Sequence, residues 1–275
     1  MGRTAAGFLA GLAFAFAFGD GLAVADGSTA QVTERVNDVE KSPHGTTDYS
    51  PVEVGATVRD GEQVKTGARS RAELALPTAS IARLGANTIY NFSVADNTID
   101  LQEGDILFCK RKDARTLTIK TAAVTAGITG TTGFFSVQGG HKKTYIFGII
   151  EGHATAHADD HPFLLGPGDI LEFAPGGRPF IFAYDLPRFV RSSSLLTKFK
   201  GTLPNQAYID RALADYRDDL GRGFIQPPSK AIDYSSDIPI YATPVYANPQ
   251  EQNKGGAPPQ QSSSSFQNSS PGKGP

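Results

Sequence analysis

From Val52 to about residue 182 the chain is a succession of short apolar runs, each interrupted by glycine or by Asp and Asn, and this limits the fold more than any other feature. In "VRDGEQVKTGARSRAELAL" (58–76), Asp60-Gly61 and Thr66-Gly67 punctuate two runs, after which Ala72, Leu74 and Leu76 alternate with Arg71, Glu73 and Ala75. "TIYNFSV" (88–94) sets Tyr90, Phe92 and Val94 on one face, "DN" (96–97) turns, and "TIDL" (98–101) returns. "DILF" (105–108), "TLTIKT" (116–121), "GFFSV" (133–137), "TYIFGII" (144–150) and "GDILEFA" (168–174) continue the series. Alternation with period two, in short runs about ten residues apart, is the pattern of half-buried strands. No 3.6-residue stripe competes across 52–182, so the fold class is all-β. The 30 glycines, the 18 prolines and the absence of Trp favour turns and strands in the same way.

An internal echo runs through the β-region. "LQEGDIL" (101–107), "IIEGHAT" (149–155) and "LGPGDIL" (165–171) each place glycine just before a short run. These read as repeated turn–strand corners in a sheet that folds back on itself. A β-solenoid-like stack and a sandwich both satisfy that pattern.

The flanks differ. Residues 1–25 read as a signal peptide: a short positive start, an apolar run "GFLAGLAFAFAFG" (7–19) too short to span a bilayer, and "AVA" (23–25) before Asp26. The expectation is export to the periplasm or beyond, with cleavage after Ala25 and no transmembrane span afterwards. Residues 26–51 read as a linker. The β-domain runs over 52–182, and 183–225 forms a C-terminal extension. There Tyr208, Ile209, Ala212, Leu213, Tyr216 and Leu220 fall at helical spacing, predicting a helix over 205–220 with Asn205 as N-cap and Gly221 as stop. Its apolar stripe packs on the β-domain and its Asp/Arg face is solvated; it serves as a cap or as a docking element. From 226 to 275 the Pro, Gln, Ser and Asn content predicts a disordered tail.

Chemistry is sparse. A formal net charge of -2 gives no electrostatic footprint for nucleic acid. Cys109 is the only cysteine, so no intramolecular disulfide forms, and it reads as a buried small hydrophobe. His153, His157 and His161 are spaced by four and are the candidate metal ligands, with His141 upstream. On a strand, however, four residues span roughly 13 Å, too far to share one zinc ion, and the expected reading is exposed hairpin histidines with no metal bound. "GITGTTGFF" (127–135) lacks the Lys-Ser/Thr ending of a phosphate loop. No Gly-x-Ser-x-Gly elbow occurs, and Ser192-Ser193-Ser194 has no glycine flank. Glu53, Glu62, Glu73 and Asp105 are scattered at turns and read as solvated. No catalytic or cofactor-binding residue stands out, and no enzyme is expected.

Three stretches resemble the FecR domain. The first, residues 52–92, carries Val64-Lys65-Thr66-Gly67, the strand Ser70 to Leu74, and the corner Arg83-Leu84-Gly85-Ala86-Asn87-Thr88. The second is "IKTAAVTAGITGTTGFFSV" (119–137) and the third spans 143–174. The resemblance implies a non-enzymatic, all-β periplasmic module over about 52–174. Founding members of that family are transmembrane regulators that carry a signal from a TonB-dependent outer-membrane receptor to a cytoplasmic sigma factor. This sequence shows a signal peptide where they have a cytoplasmic segment and a membrane span, so the resemblance supports the fold better than the signalling role. The expectation is an exported protein-binding or scaffold module of the cell envelope whose partner is another envelope protein, met through an exposed sheet edge. Two alternatives stay open: a binder of envelope polysaccharide, with Tyr90, Phe92, Tyr145 and Phe147 stacking on sugars, and a signalling adaptor to a TonB-dependent receptor.

Overall fold

The computed structural model describes residues 29–241 apart from 78–79, 94, 113–114, 140–141, 226–227, 229–231 and 235–237. The expected signal peptide, Val94, His141 and the sequence beyond 241 lie outside the described residues. The chain begins with β1 (Ala30–Val36), β2 (Val39–Ser42), β3 (Ser50–Pro51), β4 (Thr57–Val58), β5 (Gln63–Thr66) and β6 (Arg71–Leu76). It continues through β7 (Ser80–Leu84), β8 (Ile89–Ser93), the long β9 (Thr98–Cys109), β10 (Leu117–Lys120), β11 (Val124–Ile128) and β12 (Thr132–Gln138). The β-region closes with β13 (Thr144–Glu151), β14 (Ala154–Ala158), β15 (His161–Leu165), β16 (Asp169–Phe173) and β17 (Phe180–Ala183). Helices α1 (Leu186–Ser192), α2 (Ser194–Thr197) and α3 (Gln206–Arg222) follow, then the short pair β18 (Ile232–Asp233) and β19 (Ile240–Tyr241).

Two sheets emerge from the pairing. The first runs β4-β1-β6-β7-β9-β12-β13-β16-β17, antiparallel throughout. The second runs β3-β2-β5-β8-β9-β10-β11-β14-β15, with β9 and β10 parallel. Strand β9 belongs to both: residues 98–103 pair with β8 and residues 104–109 with β12. From β6 onward hairpins alternate between the sheets, so both grow in the same direction. The fold is a sandwich built up progressively, which accounts for the solenoid-like echo in the sequence. Gly104, Gly152 and Gly168, the echoed glycines, have φ of +87°, +80° and +91° and sit where the chain crosses between sheets. At those corners a left-handed backbone turn is needed, and glycine takes it without steric cost.

Alternating residues of both sheets meet in one core, including Leu74, Tyr90, Phe92, Phe108, Tyr145 and Phe147. Phe135 and Phe147 stack with centroids 4.3 Å apart. Each such ring contributes about 1.5–3 kcal/mol by leaving water. The opposite face of the first sheet is buried too. Leu107, Phe134, Ile146 and Ile170 pack there against Tyr184, Phe189, Leu195, Ile209 and Tyr216 of the helical layer. Strand β13 therefore reads as a nearly continuous apolar run, buried on both faces.

Four expectations change. Within the expected linker of 26–51, the described residues from 29 onward are folded: β1 and β2 supply the buried Ala30, Val32 and Val39, and β1 pairs with β6 about forty positions later. The helix extends over Gln206–Arg222, and its left-handed stop is Gly223 (φ 75°), not Gly221. Asn205 occupies the N-cap position but its side chain makes no cap hydrogen bond. The sequence after 226 is not wholly detached, because Ile232 and Ile238 are buried in the outer core and the Tyr234 hydroxyl accepts from the Asp185 N–H at 2.6 Å. Helices α1 and α2 were not anticipated; α1 starts where Asp185 accepts from the Arg188 N–H at 2.8 Å. Among the described residues no helix is long and apolar enough to cross a membrane.

Candidate functional sites: an open sheet edge and a cleft under the last helix

The motif residues that carried the resemblance turn out to be framework. Glu73 and Arg83 face each other across β6 and β7. The Arg83 Nε donates to Glu73 Oε2 at 2.8 Å, and its Nη1 and Nη2 donate to the carbonyls of Leu195 and Gly201 at 3.1 and 2.5 Å. Phe199 covers the guanidinium, 4.6 Å from its ring centroid. Glu73, expected to be solvated, is thus a buried half of a clamp between the sandwich and the helical layer. Thr66 Oγ1 donates to the Gly85 carbonyl at 2.6 Å and accepts from the Thr88 N–H at 2.9 Å. Thr88 Oγ1 in turn accepts from the Asp105 N–H at 3.0 Å. The "Val-x-Thr-Gly" step and the "Arg-Leu-Gly-x-Asn-Thr" corner are hydrogen-bonded to each other.

The other sequence candidates are placed as follows. Cys109 is fully buried, and burial pushes its thiol up. His153, His157 and His161 are exposed along the β14–β15 hairpin, and among the described residues no three potential ligands group for a metal ion. The Gly-rich stretch 127–135 is the crossing from β11 to β12, turned by Gly130 at φ 61°. Tyr90, Phe92, Tyr145 and Phe147 are all buried, so they offer no row for sugars to stack on.

Two features remain that can do something. The first is the late end of the second sheet. At the early end of the sandwich the outer strands β3 and β4 have two residues each, and Pro51 blunts β3. At the late end β15 has five, bonded among the described strands to β14 alone. Pro162 has no N–H to exchange with its partner His157, so that pair is not hydrogen-bonded, and by alternation neither is Leu164 with Thr155. The Leu164 main-chain groups therefore point away from β14, and the residue is 70% exposed.

The second is a cleft of about 310 Å³ between the β13–β14 corner and α3, lined among others by Lys112, Glu151, Tyr208, Arg211, Asp215 and Asp219. Sequence reasoning passed over Glu151, although a carboxylate ending the apolar run of β13 was the available signal. Its side chain is 3% exposed. Glu151 Oε2 accepts from the Thr132 N–H at 3.1 Å and from Asn205 Nδ2 at 3.4 Å. Asn205 also donates to the Lys110 carbonyl at 2.9 Å, so its side chain braces this corner instead of capping α3. Burial pushes the Glu151 carboxyl above the usual range, with Thr132 and Lys112 pulling it back. The Asp/Arg face of α3 is largely exposed, as expected, and Arg211, Asp215 and Asp219 on it also line the cleft.

Residues 62–155 match the family described as FecR protein, so the chain carries a FecR domain. That segment starts just before β5 and ends inside β14; the edge strand β15 and the helical layer follow it. Two solved structures of a proposed anti-sigma factor from Parabacteroides distasonis are similar to the chain, each at 12% identity. Their TM-scores are 0.42 and 0.41, each similarity covers 47% of this chain, and the chain spans 63% and 64% of theirs. No curated protein matches.

Proposed function

We propose that this chain is an exported, non-enzymatic module of the cell envelope that binds another protein by adding one of its strands to β15. The carrying observation is the edge itself: a five-residue outer strand, open on one side, with Leu164 70% exposed. Main-chain pairing would give affinity and the outward side chains selectivity. The FecR domain supports a binding or regulatory role, and the burial of its motif residues in framework contacts leaves recognition to edges and surfaces. An edge strand normally carries a device against indiscriminate pairing, and here Pro162 limits how much of β15 can be used.

Tagged protein crosslinked in intact cells of the source organism, with and without Leu164→Pro, tests this. Proline at 164 removes the outward N–H and the exposed leucine side chain but no hydrogen bond to β14, so the fold should persist while the captured partner is lost. Capture of the same proteins in the same amount by the variant would overturn the edge reading. An outer-membrane receptor or membrane-spanning regulator as partner would make the chain a signalling adaptor, and an abundant envelope protein would make it a scaffold.

A further inference from the structure

We propose that the cleft between the β13–β14 corner and α3 is a binding site for an organic cation, an ammonium or guanidinium group, with Glu151 as its counter-charge. The site is independent of the β15 edge. Glu151 is the deepest polar group of the cleft, and its Oε1 accepts no hydrogen bond although the atom is buried. Only the other oxygen is used by Thr132 and Asn205. A buried carboxylate oxygen without a donor is costly unless a cation reaches it.

The free protein supplies a partial substitute. Lys112 Nζ stands 3.9 Å from Glu151 Oε1 and 3.7 Å from the centroid of the Tyr208 ring. Its side chain is 51% exposed, so it covers the entrance instead of filling the cleft. A cation over an aromatic face beside a carboxylate is the arrangement that recognises ammonium and guanidinium groups. Lys112 shows that the cleft accepts such a group. Asp215 and Asp219 on α3 add negative charge at the rim, against Arg211. An anion entering the cleft would meet Glu151, Asp215 and Asp219 against Lys112 and Arg211, which disfavours the opposite choice of ligand. At about 310 Å³ the space suits one alkyl chain with a charged end, at the small end of ligand sites.

Two sources share this chemistry, a free amine and a basic side chain of a polypeptide. Putrescine and N-acetyl-lysine methylamide, titrated separately into ¹⁵N-labelled protein, distinguish them through the amide shifts of Gly152, His153 and Arg211. Saturable shifts are expected with at least one probe, the tighter one naming the source. Glu151→Gln should weaken binding about tenfold or more, as loss of a charge-assisted bond requires. Lys112→Ala should tighten it severalfold, because an internal competitor is removed. If Glu151→Gln does not fold, as its own spectrum will show, Asp215→Asn with Asp219→Asn must weaken binding instead. Absence of saturable shifts in both wild type and Lys112→Ala, or binding indifferent to these carboxylate changes, would overturn the proposal and leave Lys112–Glu151 a plain ion pair.

Discussion

Replacing Arg83 with leucine should cost more than any other single change in the FecR motif. Arg83 is 1% exposed, and its guanidinium engages Glu73 together with the carbonyls of Leu195 and Gly201. Without it Glu73 keeps only its bond from Thr33 Oγ1 at 2.8 Å, and a buried carboxylate loses its counter-charge. Breaking one side of such a pair costs about 3–5 kcal/mol. In a domain of this size each kcal/mol moves the melting temperature by about 2–4 °C, so a fall of about 6–20 °C follows. The companion change, Glu73→Leu with Arg83→Leu, removes both charges and should be less destabilising than Arg83→Leu alone, although the Leu195 and Gly201 carbonyls still lose their donor. Because the chain has no Trp, urea unfolding is best followed by far-UV circular dichroism, with tyrosine fluorescence as a second probe. Limited proteolysis should also cut Arg83→Leu first between residues 195 and 203, where the clamp is lost. A single-variant loss below about 1 kcal/mol, or a double variant as unstable as the sum of its parts, would refute the clamp.

Three further outcomes can be checked. Gly104→Ala should destabilise by about 3 kcal/mol or more, since φ is +87° and a Cβ would lie 2.5 Å from Thr88 Cα; Gly45→Ala, at φ +73° with open space around it, should cost only about 1–2 kcal/mol, and equal losses in urea melts would contradict the corner argument. Cys109 should resist thiol reagents in the native state and release one titratable thiol on unfolding, while rapid native labelling would contradict its burial. Burial raises the folded carboxyl of Glu151, so folding favours its protonated form and its contribution to stability grows as pH falls through the raised value toward the ordinary range near about 4. Relative to Glu151→Gln, wild-type protein should therefore gain stability in urea melts as pH falls toward the ordinary carboxylate range, and parallel pH profiles would show that the group is not perturbed.

The sequence revealed the β-domain where strands announce themselves by local alternation, as in Ala72, Leu74 and Leu76, and the echoed glycines marked real corners. Strands β1 and β2 were hidden because each carries few inward apolar residues and is stabilised by pairing distant in sequence, Val32 with Leu74 and Val39 with Thr66. Helix α3 was legible from its stripe and its N-cap position, but not the use of the Asn205 side chain, which is claimed by Lys110, Thr132 and Glu151 across the layer interface. The two candidate sites were illegible for the same reason. Which strand ends a sheet depends on the order of the whole stack, and Glu151 gains its character from a helix more than fifty residues later. Glu73 was misjudged because its counter-ion is supplied by the register of a hairpin.

The claim that β15 is the docking strand is tested most directly by a photo-crosslinking residue placed at Leu164 and, in a separate variant, at the exposed Arg217 on α3, each activated in intact cells. A defined envelope protein captured from position 164 and absent from 217 is the predicted result. Equal capture from both positions, or none from 164, would contradict the account.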